Sequence, residues 1–166
     1  MSSRIRLKRG LPSDPRALEG LPLQLLIIMV VLAIGLPVVY TSLTYYDTQN
    51  VIQRVENQVE YIEEKAKMMR AYGPGNSDVI TVDLEPGIFS GVRYLELGNR
   101  TFVNLIRWEV DGGHTGLHTV ESIPLVSEAG EAMILGSGTH RLRMETRSGD
   151  PFEEGEEILY IEISSA

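Results

Sequence analysis

Three hydrophobic patterns follow one another along the chain. From Leu21 to Tyr40 it reads LPLQLLIIMVVLAIGLPVVY, with Gln24 the one polar side chain before the final tyrosine. At about 1.5 Å of rise per residue, about 20 residues cross a ~30 Å hydrocarbon layer, so this run predicts a membrane-spanning helix. Beyond Asp47 the apolar positions thin to a stripe, Ile52, Val55, Val59, Ile62, Ala66 and Met69, at intervals of three and four, and Tyr45 and Thr48 extend its register backwards. Gln, Glu, Lys and Arg cover the remaining faces, which predicts an amphipathic helix. Gly73-Pro74-Gly75-Asn76 ends it. From Asp78 the period becomes two. The segments DVITVDL, VRYLEL, TFVNLIRWEV, GLHTV, AMIL, THRLRMET and EILYIEIS alternate or run apolar and are rich in Val, Ile, Tyr, Phe and Thr. Turn signals such as Glu85-Pro86-Gly87, Gly98-Asn99 and Asp111-Gly112-Gly113 separate them.

The expected fold class is therefore α+β: a long N-terminal helix, transmembrane and then amphipathic, followed by a small all-β antiparallel sandwich or barrel. The segments fall at 1–20 (basic leader), 21–46 (membrane helix and outer interface), 47–76 (amphipathic helix and turn) and 77–166 (β domain). Within the first helix, Asp14-Pro15 is expected to cap a short surface helix that breaks at Gly20-Leu21-Pro22, so that Pro22 starts the membrane helix. Pro37 removes one backbone donor beside Gly35 and is expected to kink or loosen it. The stripe is expected to pack on the chain's own β domain. A coiled coil with a second copy is the other reading, and its three short heptads are weakened by Ala and Thr positions.

Charge adds a direction. Residues 1–20 carry five basic and two acidic side chains, a net of +3, while 47–166 carry ten basic and 21 acidic ones, a net of −11, and no charge lies between Glu19 and Asp47. Basic residues before the run and an acidic one after it put the N-terminus in the cytoplasm and the β domain outside the cell membrane. Tyr40, Tyr45 and Tyr46 suit the outer interface. The run is longer than a secretory h-region and lacks a small-x-small cleavage site, so it is retained as an anchor. Nothing basic is concentrated enough to neutralise a run of phosphates, which argues against nucleic acid as a partner.

Candidate chemistry is sparse. With no cysteine there is no disulfide framework and no thiolate metal site. His114 and His118 have a spacing that metal ligands use, with His140 as a third candidate, yet His114 lies in a glycine-rich loop and a strand does not fix that interval. No carboxylate sits in an apolar setting that would tune it as an acid or base. The expectation is a non-enzymatic protein with no catalytic residue, metal or cofactor. Trp108 reads as a core anchor, and the acidic stretches EAGEA and PFEEGEE as solvated surface. Arg141, Arg143 and Arg147 read as a basic strand edge, an ordinary outward face ahead of a surface that pairs with a neighbour's acidic one. Asn99-Arg100-Thr101 is a sequon in a turn of an exterior domain, which makes Asn99 a possible glycosylation site.

The order of parts, a basic leader, an uncharged helix with Glu19 near its start, an amphipathic continuation, the turn in AYGPGNSDVITVDL (Ala71 to Leu84) and a small β domain, resembles archaeal type IV pilin-like (prepilin-like) proteins over nearly the whole chain. The resemblance implies a structural or minor-pilin subunit of a cell-surface filament. A membrane-embedded prepilin peptidase would cut before the apolar helix, and the mature helices would bundle with other pilin-like subunits. In such families a glutamate at the fifth mature position offsets a neighbour's new N-terminus, a subunit-interface role that falls to Glu19. Candidate cuts are Arg9-Gly10 and Arg16-Ala17, neither of which makes Glu19 fifth; a cut after Asp14 would, but it leaves Pro15 at the new terminus. Glu19 also reads as an interfacial carboxylate at a helix N-terminus. The alternative function is an uncleaved single-pass membrane protein that displays its β domain as a binding or envelope module. Either way the partners are membrane lipid and further copies or related subunits.

Overall fold

The computed structural model describes the backbone of residues 15–99, 101–121, 123–151 and 157–166, and side chains from 22 onward within those ranges. Arg9 and Gly10, Arg100 of the sequon, and most of PFEEGEE lie outside the described residues. The first element, α1, runs from Pro15 to Tyr72, 58 residues, and Pro22 and Pro37 lie inside it. The break expected at Gly20-Leu21-Pro22 is therefore corrected. A proline suits the first helical position, as at Pro15, and at Pro22 and Pro37 the helix continues through the loss of one intrahelical donor each.

The chain divides into two compact units, Met1–Ser42 and Leu43–Ala166. In the first, the helix from Leu23 to Tyr40 exposes large apolar side chains on every side. Near its end, Thr41 Oγ1 donates to the Pro37 carbonyl and Ser42 Oγ to the Val38 carbonyl, each at 2.8 Å. Both hydroxyls are thus satisfied inside the helix, as an environment without water demands.

In the second unit, α1 ends at a tight turn. Gly73 and Gly75 take positive φ, 84° and 88°. The Gly75 amide donates to Thr146 O at 2.7 Å and the Thr146 amide to Asn76 O at 2.8 Å. The turn therefore delivers the chain directly into β1 (Ser77–Leu84). β2 (Val92–Leu97), β3 (Leu105–Val110), β4 (His114–Thr119), β5 (Leu125–Ser127), β6 (Met133–Leu135), β7 (Gly138–Gly149) and β8 (Ile158–Ser165) follow. They make two four-stranded sheets, ordered β1-β7-β8-β5 and β4-β3-β2-β6.

The pattern of the sequence accounts for seven of these eight strands. The extra one, β5, has three residues, all buried and without alternation, directly after Pro124. It pairs parallel to β8 while the other pairings are antiparallel. The sheet is thus not purely antiparallel. Elsewhere alternation shows plainly: in β1, Ile80, Val82 and Leu84 turn inward while Thr81 and Val79 face out.

The helix stripe belongs to the same core. Val55, Val59, Ile62, Ala66 and Met69 form one continuous cluster with inward residues of both sheets, including Ile80, Val82, Leu142, Met144 and Ile163 from one and Leu95, Ile106, Trp108 and Val110 from the other. At about 1.5–3 kcal/mol per fully buried aliphatic side chain, the stripe ties the helix firmly to the sheets. Two positions depart from expectation. Val51 is buried where Ile52 is only partly so, and Tyr45 stands exposed although Thr48 is buried. A straight helix at 3.6 residues per turn drifts off a strict 3,4 repeat, which shifts the inner end of the stripe by one residue.

Candidate functional site

The most distinctive surface is the helix from Leu23 to Leu43. Its large side chains range in exposure from Val30 at 49% to Met29 at 68%, and the most apolar window is entirely unburied within the chain. A soluble monomer does not expose so much contiguous apolar area. One helix near the N-terminus is thus long and apolar enough to span a membrane. Arg16, Ala17 and Glu19 lie on its first turns.

Where the uncharged run stops, the structure places a clamp. Asp47, the first charged residue after Glu19, accepts hydrogen bonds from the amides of Ile88 (2.9 Å), Phe89 (2.8 Å) and Ser90 (3.0 Å). The amides of Ile88 and Phe89, ahead of the smaller contribution from Ser90, hold the Asp47 carboxyl below its ordinary value, because each bond favours the charged form. One residue on, Thr48 Oγ1 meets Ser90 Oγ at 2.6 Å and donates to Thr44 O at 2.9 Å.

The clamped loop is itself tightly built. The Gly87 amide donates to Ser90 O at 2.7 Å. A Cβ on Gly87 would collide with the Asp47 carboxylate, so only glycine lets the loop come this close. At its base the Gly91 amide donates to Asp111 Oδ2 and the Val92 amide to Ser137 Oγ, both at 2.8 Å. On this loop Ile88 is 86% exposed, the most exposed large hydrophobic among the described residues, and Phe89 is 44% exposed. Tyr45 and Tyr46, on the adjoining turn of α1, are exposed as well.

The histidines go to separate tasks. His118 Nε2 lies 2.8 Å from Glu63 Oε2, and Glu63 Oε1 pairs with Lys67 at 2.8 Å. The Lys67 ammonium first, then His118, hold the Glu63 carboxyl below its ordinary value. His140 Nε2 is 2.8 Å from Gly136 O, and His114 is exposed at the start of β4. Among the described residues no three His, Cys, Asp or Glu side chains gather as a metal site. Trp108 is 6% exposed and part of the core. It borders a cleft of about 230 Å³ with Glu56, Glu60, Gly116, Leu117 and His118. Its ring lies on Gly116, its cross-strand partner in β4, so closely that any Cβ there would overlap it.

The remaining candidates are placed on the surface. Asn99 Nδ2 donates to Glu96 Oε1 at 2.7 Å while Asn99 Oδ1 accepts from the Thr101 amide at 2.9 Å, so the Asn99 side chain is held by both neighbours. Arg141, Arg143 and Arg147 lie on β7, which sits between β1 and β8; they occupy the outward face of an interior strand rather than a sheet edge. Arg147 pairs with Glu162 at 2.7 Å and Glu145 at 3.3 Å.

The Asp47 clamp escapes sequence reasoning because its two halves are more than 40 residues apart in the chain. The one local hint is EPGIFSG, a glycine-proline turn that carries two large hydrophobics in succession where turns ordinarily carry polar residues. No protein-family model, curated protein or solved structure matches this chain.

Proposed function

We propose that the protein is a non-enzymatic, pilin-like structural or minor-pilin subunit. Its N-terminal helix sits in the membrane or a filament core, and its β domain stands outside the cell. The observation that carries this reading is the contrast along α1. Residues from Leu23 to Leu43 are bare and apolar on all sides, whereas the stripe from Val51 to Met69 is already occupied by the chain's own sheets. The helix therefore has apolar surface to offer to lipid or to sister helices, and none left over in its outer stripe for a coiled coil. On this reading the basic leader stays cytoplasmic until a prepilin-type peptidase removes it.

The mature N-terminus tests the proposal. Intact-protein mass of surface filaments and of the membrane fraction should show loss of most or all of the basic leader. Filaments that retain Met1 to Arg9 would sink it.

A second reading, an uncleaved single-pass anchor that displays the β domain, draws support from one feature. The Arg16-Ala17 bond lies within α1, and a peptide bond in a regular helix must unwind before a peptidase can cut it. On this reading the full-length mass persists in membranes, and deletion of the gene product removes no filament.

A further inference from the structure

Ile88 stands out from the domain and Phe89 is partly exposed beside it, on a loop too well tied to be an accident of a loose turn. Three backbone amides end on Asp47, a fourth closes the turn onto Ser90, and two more fix the base to Asp111 and Ser137. These bonds fix the backbone from which Ile88 and Phe89 project. The anchor point is also specific. Asp47 is the residue at which the uncharged run of the helix ends, so the amides of Ile88 and Phe89 lie within a hydrogen bond's reach of that boundary. Tyr45 and Tyr46, exposed on the same turn, bring the amphipathic rings that favour a membrane–water interface.

We propose that the 85–91 loop is a membrane-docking foot: Ile88 and Phe89 enter the outer interfacial zone of the bilayer beside Tyr45 and Tyr46, with Asp47 as the pin that sets their depth. The partner is lipid rather than another protein, because the loop is bonded to the helix at the level where that helix leaves the hydrocarbon. The contact is apolar rather than electrostatic. Residues 47–166 carry a net charge of −11, which would oppose attraction to anionic headgroups, while the Ile88 and Phe89 side chains bring no charge of their own. The inference rests on the membrane-span reading of α1 and on nothing else in the proposed function.

The absence of native cysteine allows single labelling sites in the full-length chain. Ile88→Cys and Phe89→Cys, made separately and spin-labelled after reconstitution into phosphatidylcholine vesicles, are compared with Leu32→Cys, Tyr46→Cys and Asn57→Cys for accessibility to oxygen and to a water-soluble nickel chelate. Position 57 lies about 15 Å further along the helix than position 47, beyond the headgroup layer. The expected result is an oxygen-to-nickel accessibility ratio at 88 and 89 close to that at 46 and several-fold above that at 57. A ratio at both positions equal to that at 57 overturns the foot. Labels shielded from both reagents and broadened by copy-to-copy dipolar coupling overturn it as well, in favour of a second copy. Leu32→Cys separates the two ideas: if its label is open to the nickel chelate, the span itself fails and the foot with it, whereas a lipid-buried label at 32 with water-exposed labels at 88 and 89 rejects the foot alone.

Discussion

One helix carries two kinds of surface. From Leu23 to Leu43 it is apolar all round and uncovered, and from Val51 to Met69 it is apolar on one face that the sheets cover. The backbone is the same α-helix throughout, so propensity does not separate the two halves. What separates them is where the burial comes from: outside the chain for the inner half, inside it for the outer half. A stripe one side chain wide can be satisfied by a single domain, while an all-round apolar cylinder can be satisfied only by a surrounding medium or a ring of like helices.

The sharpest way to break the comparison is to empty the covered stripe. Ile62→Ala should cost about 2–5 kcal/mol, because the core residues around it cannot fully collapse into the cavity; urea unfolding of the detergent-solubilised chain would report the loss. Placing one charge in each half compares them directly. Leu32→Arg should raise the free energy of membrane insertion by about 2.5–3.5 kcal/mol, read as a shift from membrane to soluble or degraded fractions. The matched Gln53→Arg, on the exposed face of the outer half, should change unfolding stability by no more than about 0.5 kcal/mol. If the two arginines behave alike, the inner half is not in lipid.

Two smaller effects probe how the outer half is seated. Gly116→Ala forces the Trp108 ring, on β3, off its place against β4 and should destabilise the domain by roughly 1–3 kcal/mol, with a red shift in the emission of the single tryptophan. The Glu63 pair with Lys67 and His118 joins the helix to β4. Because the folded carboxyl titrates below its ordinary value of 4.5, its contribution is whole above that pH and fades as pH falls through the lower folded value. Glu63→Gln should therefore flatten the acid limb of the stability profile, measured by urea unfolding at a series of pH values.

Much of this fold can be read from periodicity. The change from an unbroken apolar run, to intervals of three and four, to alternation marks the bare helix, the covered helix and the strands, because burial on all sides, on one stripe and on one sheet face each imposes its own period. The errors have physical causes. β5 has too few residues to show a period, and its neighbour Pro124 argues against a strand. Ile52 and Val51 differ by one position, which a repeat of three and four cannot resolve. Pro22 looks like a stop in sequence and proves to be a passenger in α1. Of the candidate site, the apolar run was plain. The clamp was not, since Asp47 reads only as the first charge outside until the fold brings the 88–90 amides to it.

The order of strands has a consequence for how the molecule is made. β1 follows the helix directly, yet its partner is β7, and β7 is flanked in turn by β8, so three of the first sheet's four strands come from the two ends of the β domain. During synthesis the helix and β1 emerge long before the strands that complete them. Until β7 and β8 arrive, Val55, Val59 and Ile62 have only part of the core they finally share. Long-range pairing of this kind is slow and leaves sticky surface open while it waits. The stripe from Val55 to Ile62 is therefore among the surfaces left incomplete longest.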